Sequence, residues 1–188
     1  MAVTGITSLW LPILLSAVAV FVASSIVHMV MPWHKGDYQK VPDEDALRAA
    51  VGPLAIPPGD YMVPRPAGRE DMKSSAFMDK VRAGPNLIVT VLPNGEWSMT
   101  RNLVLWFVYL VVVSTFGAYI AGRALPQNPA SWEIVRFVST TTFIAYSAAL
   151  WQMSIWYRRS WSTTIKATVD SLIYSFITAA IFCWLWPR

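Results

Sequence analysis

Four stretches of the chain, residues 9–31, 103–122, 134–156 and 163–186, are almost continuously apolar. A helix of about 20 apolar residues covers the roughly 30 Å of hydrocarbon in a bilayer, so each stretch is long enough to span it. The pattern predicts an all-α integral membrane protein, a four-transmembrane-helix bundle. The first stretch reads as a retained span, because no Lys or Arg precedes Leu9 to form the charged start of a signal peptide.

Between the first two spans the pattern breaks into short elements separated by prolines. Residues 41–52 open with Pro42 and three acids, continue with apolar positions at helical spacing and end at Gly52, which predicts a short amphipathic helix. A turn over 56–60 leads to a short strand at 61–63, and residues 69–81 read as a second helix closed by Gly84. Residues 87–92 are rich in β-branched side chains and run into Pro93-Asn94-Gly95, a strand followed by a turn. The organisation expected is a first transmembrane helix over 1–33, a small mixed α/β cytoplasmic insert over 34–101 between helices 1 and 2, and a three-helix transmembrane segment over 102–188. An insert of this size is near the limit at which a core suffices alone, so it is expected to lean on the membrane, the spans or another chain. Its prolines restrict the backbone and argue for order.

Charge sharpens this picture. The net charge is +4, yet residues 34–101 hold nine Lys/Arg and nine Asp/Glu, so no basic face suited to nucleic acid is present. The surplus lies near span ends. Lys35, Lys40, Arg101, Arg158, Arg159 and Lys166 fall on the side of the insert, and Arg123, Arg136 and Arg188 on the other. Cationic residues favour the cytoplasm, which places both termini outside and residues 34–101 inside. Nine of the ten tryptophans lie within about two turns of a span end, as an aromatic belt requires. The absence of an Asn-x-Ser/Thr acceptor fits a bacterial cytoplasmic membrane.

Candidate chemistry is sparse. Asp170 is a carboxylate inside the last span, a costly placement that points to a cavity, a partner or a function. Lys166 lies one turn before it on the same helical face and is expected to offset its charge. Topology sets His28, Asn102, Gln152 and Asp170 in one polar layer near the cytoplasmic ends of the spans, suited to a proton or ion site or to hydrogen bonds between helices. Ser114, Ala118 and Gly122, and again Ser171, Ser175 and Ala179, recur every four residues and predict close helix packing within the bundle or between copies. The hydroxyls of residues 139–142 are expected to bond back to their own helix.

No metal or cofactor is expected, because His28, His34 and Cys183 are too few for a closed four-ligand site. Phosphate loops and serine triads are equally missing. Trp33 and His34, following Pro32 at the end of the first span, read as interface residues. Without a catalytic constellation or an internal repeat, the chain reads first as a membrane scaffold, accessory subunit or assembly protein. Its partners would be the lipid bilayer and a second copy or another membrane protein, with no nucleic acid. The alternatives are a homo-oligomeric ion channel or small transporter with Asp170 and His28 on its path, and a membrane enzyme acting on a lipid or quinone.

Overall fold

The computed structural model describes residues 4–96 and 98–187. Helix α1 (Trp10–Ser25) is preceded by a 3-10 turn (Ile6–Leu9) and followed by a π turn (Ile26–Val30), forming one span, Ile6–Val30. The insert contributes α2 (Glu44–Val51), β1 (Gly59–Val63), α3 (Ser75–Ala83) and β2 (Leu87–Val91). The remaining spans are α4 (Met99–Ala124), α5 (Ser131–Ile155) and α6 (Trp161–Leu185). Four membrane-spanning helices with a small two-stranded insert after the first is thus the architecture that the hydrophobic pattern predicts.

The chain forms two units, one of residues 1–38 and 98–188, the other of residues 39–97. Residues 34–38 therefore belong with the spans, although their polarity alone groups them with the insert. In the bundle α1 packs on α4 and α6, and α5 packs on the same two, so consecutive spans close a ring. The short α4–α5 and α5–α6 connections produce antiparallel neighbours, and the first two spans are joined through the insert.

The bundle buries an apolar core that includes Leu9, Val20, Leu110, Val138 and Phe182, and it departs from a protein in water at its outer surface. Leu14, Val18, Val22, Phe116, Ile144 and Phe176 point outward and are exposed, whereas Ser16, Ser114, Thr142, Ser175 and Thr178 are buried. An outer surface of large apolar side chains suits lipid, where small and hydroxylated residues let helices approach. Both small-residue faces are used within the single chain: Ser114, Ala118, Ser171, Ser175 and Ala179 are buried, and so is Gly122. A methyl group on Gly122 would sit 2.6 Å from the backbone oxygen of Thr4, closer than any real contact, so only glycine admits the N-terminal turn there. Ser16 Oγ donates to Ser114 Oγ at 3.2 Å, joining α1 to α4. Thr141 and Thr142 donate to the carbonyls of Phe137 and Val138 on their own helix, as expected of that hydroxyl run.

In the insert, β1 and β2 pair antiparallel with Gly59 opposite Val91 and Val63 opposite Leu87. Asp43 caps α2 by accepting from Ala46 N–H, and Ser74 caps α3 by accepting from Phe77 N–H. Among its described residues none is buried, and Leu54, Met62, Val63, Met72 and Leu92 are about half exposed.

Candidate functional site

The site begins with a reversal of the chain at the end of the first span. The α-helical ladder widens at Ile26–Val30, where Met31 N–H donates to the Ile26 carbonyl at 3.0 Å. Such single π turns recur at functional sites. Pro32 then holds Met31 in an extended conformation (φ −77°, ψ 146°), because proline clashes with a helical residue before it. A 3-10 turn over Pro32–His34 follows, closed by Lys35 N–H to the Pro32 carbonyl (3.2 Å), and Asp37 N–H next donates to the His34 carbonyl (3.1 Å). Positions six apart on a continuous helix lie on different faces. Here the reversal stacks the rings of His28 and His34, with centroids 4.2 Å apart and planes 23° from parallel.

His34 stands between two carboxylates. Its Nδ1 lies 2.6 Å from Asp37 Oδ2 and its Nε2 lies 2.7 Å from Asp170 Oδ2. Lys166 Nζ donates to the other Asp37 oxygen at 3.0 Å. Asp170, His34, Asp37 and Lys166 therefore form one continuous chain of charged and polar groups, their side chains only 5%, 11%, 10% and 24% exposed. Lys166 serves Asp37, not Asp170, which departs from the pairing expected along α6. Lysine before a carboxylate at this spacing is the weaker order, and the folded segment 34–37 supplies each with a closer partner.

The charges compensate one another locally. Burial pushes the Asp37 carboxyl upward, but the hydrogen bonds and charges of His34 and Lys166 outweigh it and hold Asp37 below its ordinary value. Asp37 is therefore an acceptor throughout the neutral range. An imidazole with a carboxylate at each nitrogen either carries a proton on both, or donates to one and turns a lone pair toward the other.

Beside this network a cleft of about 320 Å³ opens into the bundle. It is lined from all four spans, by His28, by Trp106 and Tyr109 of α4, by Tyr146 of α5, and by Asp170 and Tyr174 of α6. Trp106 Nε1 donates to Ser24 Oγ (2.9 Å) and Tyr109 Oη to the Ala145 carbonyl (3.0 Å), which fixes two of the aromatic walls. Tyr146 and Tyr174 meet edge to face with centroids 6.0 Å apart. Both are buried, yet neither hydroxyl has a hydrogen-bond partner among the described residues. Thr178 lies beside the Tyr146 hydroxyl, but no bond of ordinary geometry joins them and Thr178 donates to the Tyr174 carbonyl. A buried hydroxyl left without a partner costs about 1–3 kcal/mol, so two of them on one cleft call for an acceptor.

Of the four residues expected in a polar layer, His28 and Asp170 meet at the mouth of this cleft. Asn102 and Gln152 are exposed on their helices and line no part of it. His34, Asp37, Tyr146 and Tyr174 complete the site without having stood out in the sequence. The signal for His34 was present in Pro32, which stops the span and turns the chain back. Comparison with known proteins finds no match, whether to a family model, a curated protein or a solved structure.

Proposed function

We propose that the chain binds a neutral, ring-bearing molecule of the lipid phase, of the quinone class, inside its bundle, and acts on it as a membrane enzyme. The observation that carries this reading is the buried hydroxyl of Tyr174, without a partner on the wall of an aromatic cleft that also holds His28 and Asp170. Flat aromatic walls favour a flat ligand by offset stacking. The Tyr174 hydroxyl, without a partner among the described residues, favours a carbonyl oxygen on it. A phospholipid headgroup fits poorly, because among the described residues no Lys or Arg lines the cleft and the Asp170 carboxylate repels phosphate.

Tyr174→Phe removes the donor but keeps the ring. Its effect on binding of a short-chain quinone, read by titration calorimetry in detergent, is expected to be a loss of roughly two- to tenfold, one hydrogen bond's worth. The melting temperature of the ligand-free protein is expected to hold or rise, because an unsatisfied hydroxyl has been removed. No saturable binding by the wild type, or equal affinity in both proteins, would sink the reading.

The scaffold or assembly role has a separate support in the insert, whose apolar side chains are uncovered and which buries none of its described residues. We infer that it completes its core against a second copy, on the cytoplasmic side of a bacterial membrane with both termini outside. Lys73 and Lys80 supply amines for a membrane-impermeant crosslinker. Crosslinked dimers are expected in inside-out vesicles only. Monomers alone in both orientations contradict self-association, and dimers in right-side-out vesicles contradict the orientation.

A further inference from the structure

We propose that His28, His34 and Asp170 hold a divalent transition-metal ion at the mouth of the cleft. One ligand atom from each lies within 4.8 Å of the other two. Counting ligands along the sequence leaves two histidines and a remote cysteine, short of a closed site. The fold adds a carboxylate and makes a different set, two imidazoles and one carboxylate, which is the composition of open sites that keep positions for substrate or water.

A metal-binding histidine ordinarily donates its other ring N–H to a carboxylate, which fixes the tautomer and aims the free nitrogen at the metal. His34 has that partner in Asp37, 2.6 Å from Nδ1, and Asp37 is itself held by Lys166 at 3.0 Å. With Nδ1–H given to Asp37, the Nε2 lone pair faces Asp170 Oδ2 across 2.7 Å. Two electron-rich atoms at that distance share either a proton or a cation, and a metal ion would take the place of the proton. Nitrogen and oxygen ligands at about 2.0–2.2 Å from a tetrahedral zinc stand about 3.3–3.6 Å from each other, so the pair must part by less than about 1 Å to admit the ion.

The remaining ligand and the surroundings agree. His28 lines the cleft and is stacked on His34, so its ring reaches the same space. Asp170 is buried in a span, and among the described residues the side chain that bonds it is His34. A buried carboxylate is stable when paired or bound to a metal. Two nitrogens and one oxygen select borderline ions such as Zn²⁺, Co²⁺ or Fe²⁺ over Mg²⁺ and Ca²⁺, which prefer oxygen alone. His28 and Asp170 both line the cleft, so a coordination position left open faces its interior. The inference stands apart from quinone binding, since its ligands and its test involve the ion alone.

The test uses tag-free, full-length protein in detergent, stripped with a chelator and titrated with Co²⁺ while the visible ligand-field bands are followed, then with Zn²⁺ in competition. The expected result is one ion per chain, displaced by Zn²⁺ and not by Mg²⁺. His28→Ala removes a ligand without touching the bonds of His34, and is expected to weaken binding at least tenfold with an unchanged melting temperature in chelator. Asp37→Asn, which alters the group that orients His34, is expected to weaken it by about 10–100-fold. Substoichiometric binding by the wild type, displacement by Mg²⁺, or wild-type affinity in His28→Ala would overturn the proposal.

Discussion

His34→Ala is expected to destabilise the bundle by about 3–5 kcal/mol, the cost of stranding one member of a buried ion pair. The side chain bonds Asp37 at 2.6 Å and Asp170 at 2.7 Å. Its removal leaves the Asp170 carboxylate, 5% exposed and inside a span, without a partner. It also removes the bond between His34 and α6, while the Lys166–Asp37 pair stays in place. The measurement is thermal or denaturant unfolding in detergent with chelator present, so that loss of a bound ion does not enter. A double-mutant cycle separates the pair from simple loss of packing. In His34→Leu/Asp170→Leu both partners become apolar, and stability is expected to return to within about 1 kcal/mol of the wild type, since well-packed apolar replacements of buried pairs are often neutral. Equal destabilisation by the single and double variants would show that the pair itself contributes little.

The network explains which parts of the structure could be read in advance. The spans were legible because their signal is a sum over some 20 positions, and no single residue can reverse it. The insert was legible in outline from local signals, the acids that open α2 and the β-branched run at Leu87–Val91, but its second helix starts at Ser75 behind the Ser74 cap and not at residue 69, where Asp71–Lys73 forms a separate 3-10 turn. Both small-residue faces were legible as packing surfaces, although only the fold shows that they close this chain's own bundle. Asp170 announced itself as a charge in an apolar span.

Its partners did not, because they depend on a change of direction. A helical wheel sets His28 and His34 on different faces, and only the π turn and Pro32 fold one ring onto the other. The same reversal carries Asp37 to Lys166, 129 positions away in sequence. Asn102 and Gln152 show the opposite failure. Their depth was inferred from topology, but depth does not fix the side of the helix, and both face away from the cleft. Tyr146 and Tyr174 lie dispersed along separate spans, with nothing in their spacing that brings them to one cleft. What distinguishes them, hydroxyls buried without a partner, is visible only when all four helices are in place.

The cleft is where fold and chemistry meet, so the location of a bound ligand bears most directly on the account. A photoreactive quinone analogue, irradiated with the reconstituted protein and mapped by mass spectrometry, labels whatever residues surround it. The walls of the cleft come from separate parts of the sequence, Trp106 and Tyr109 on α4, Tyr146 on α5 and Tyr174 on α6. Labelling is expected on peptides containing these residues, competed away by excess unlabelled quinone and reduced in Tyr174→Phe. Label confined to the lipid-facing residues Val18, Phe116, Ile144 and Phe176, and indifferent to competitor, would contradict it.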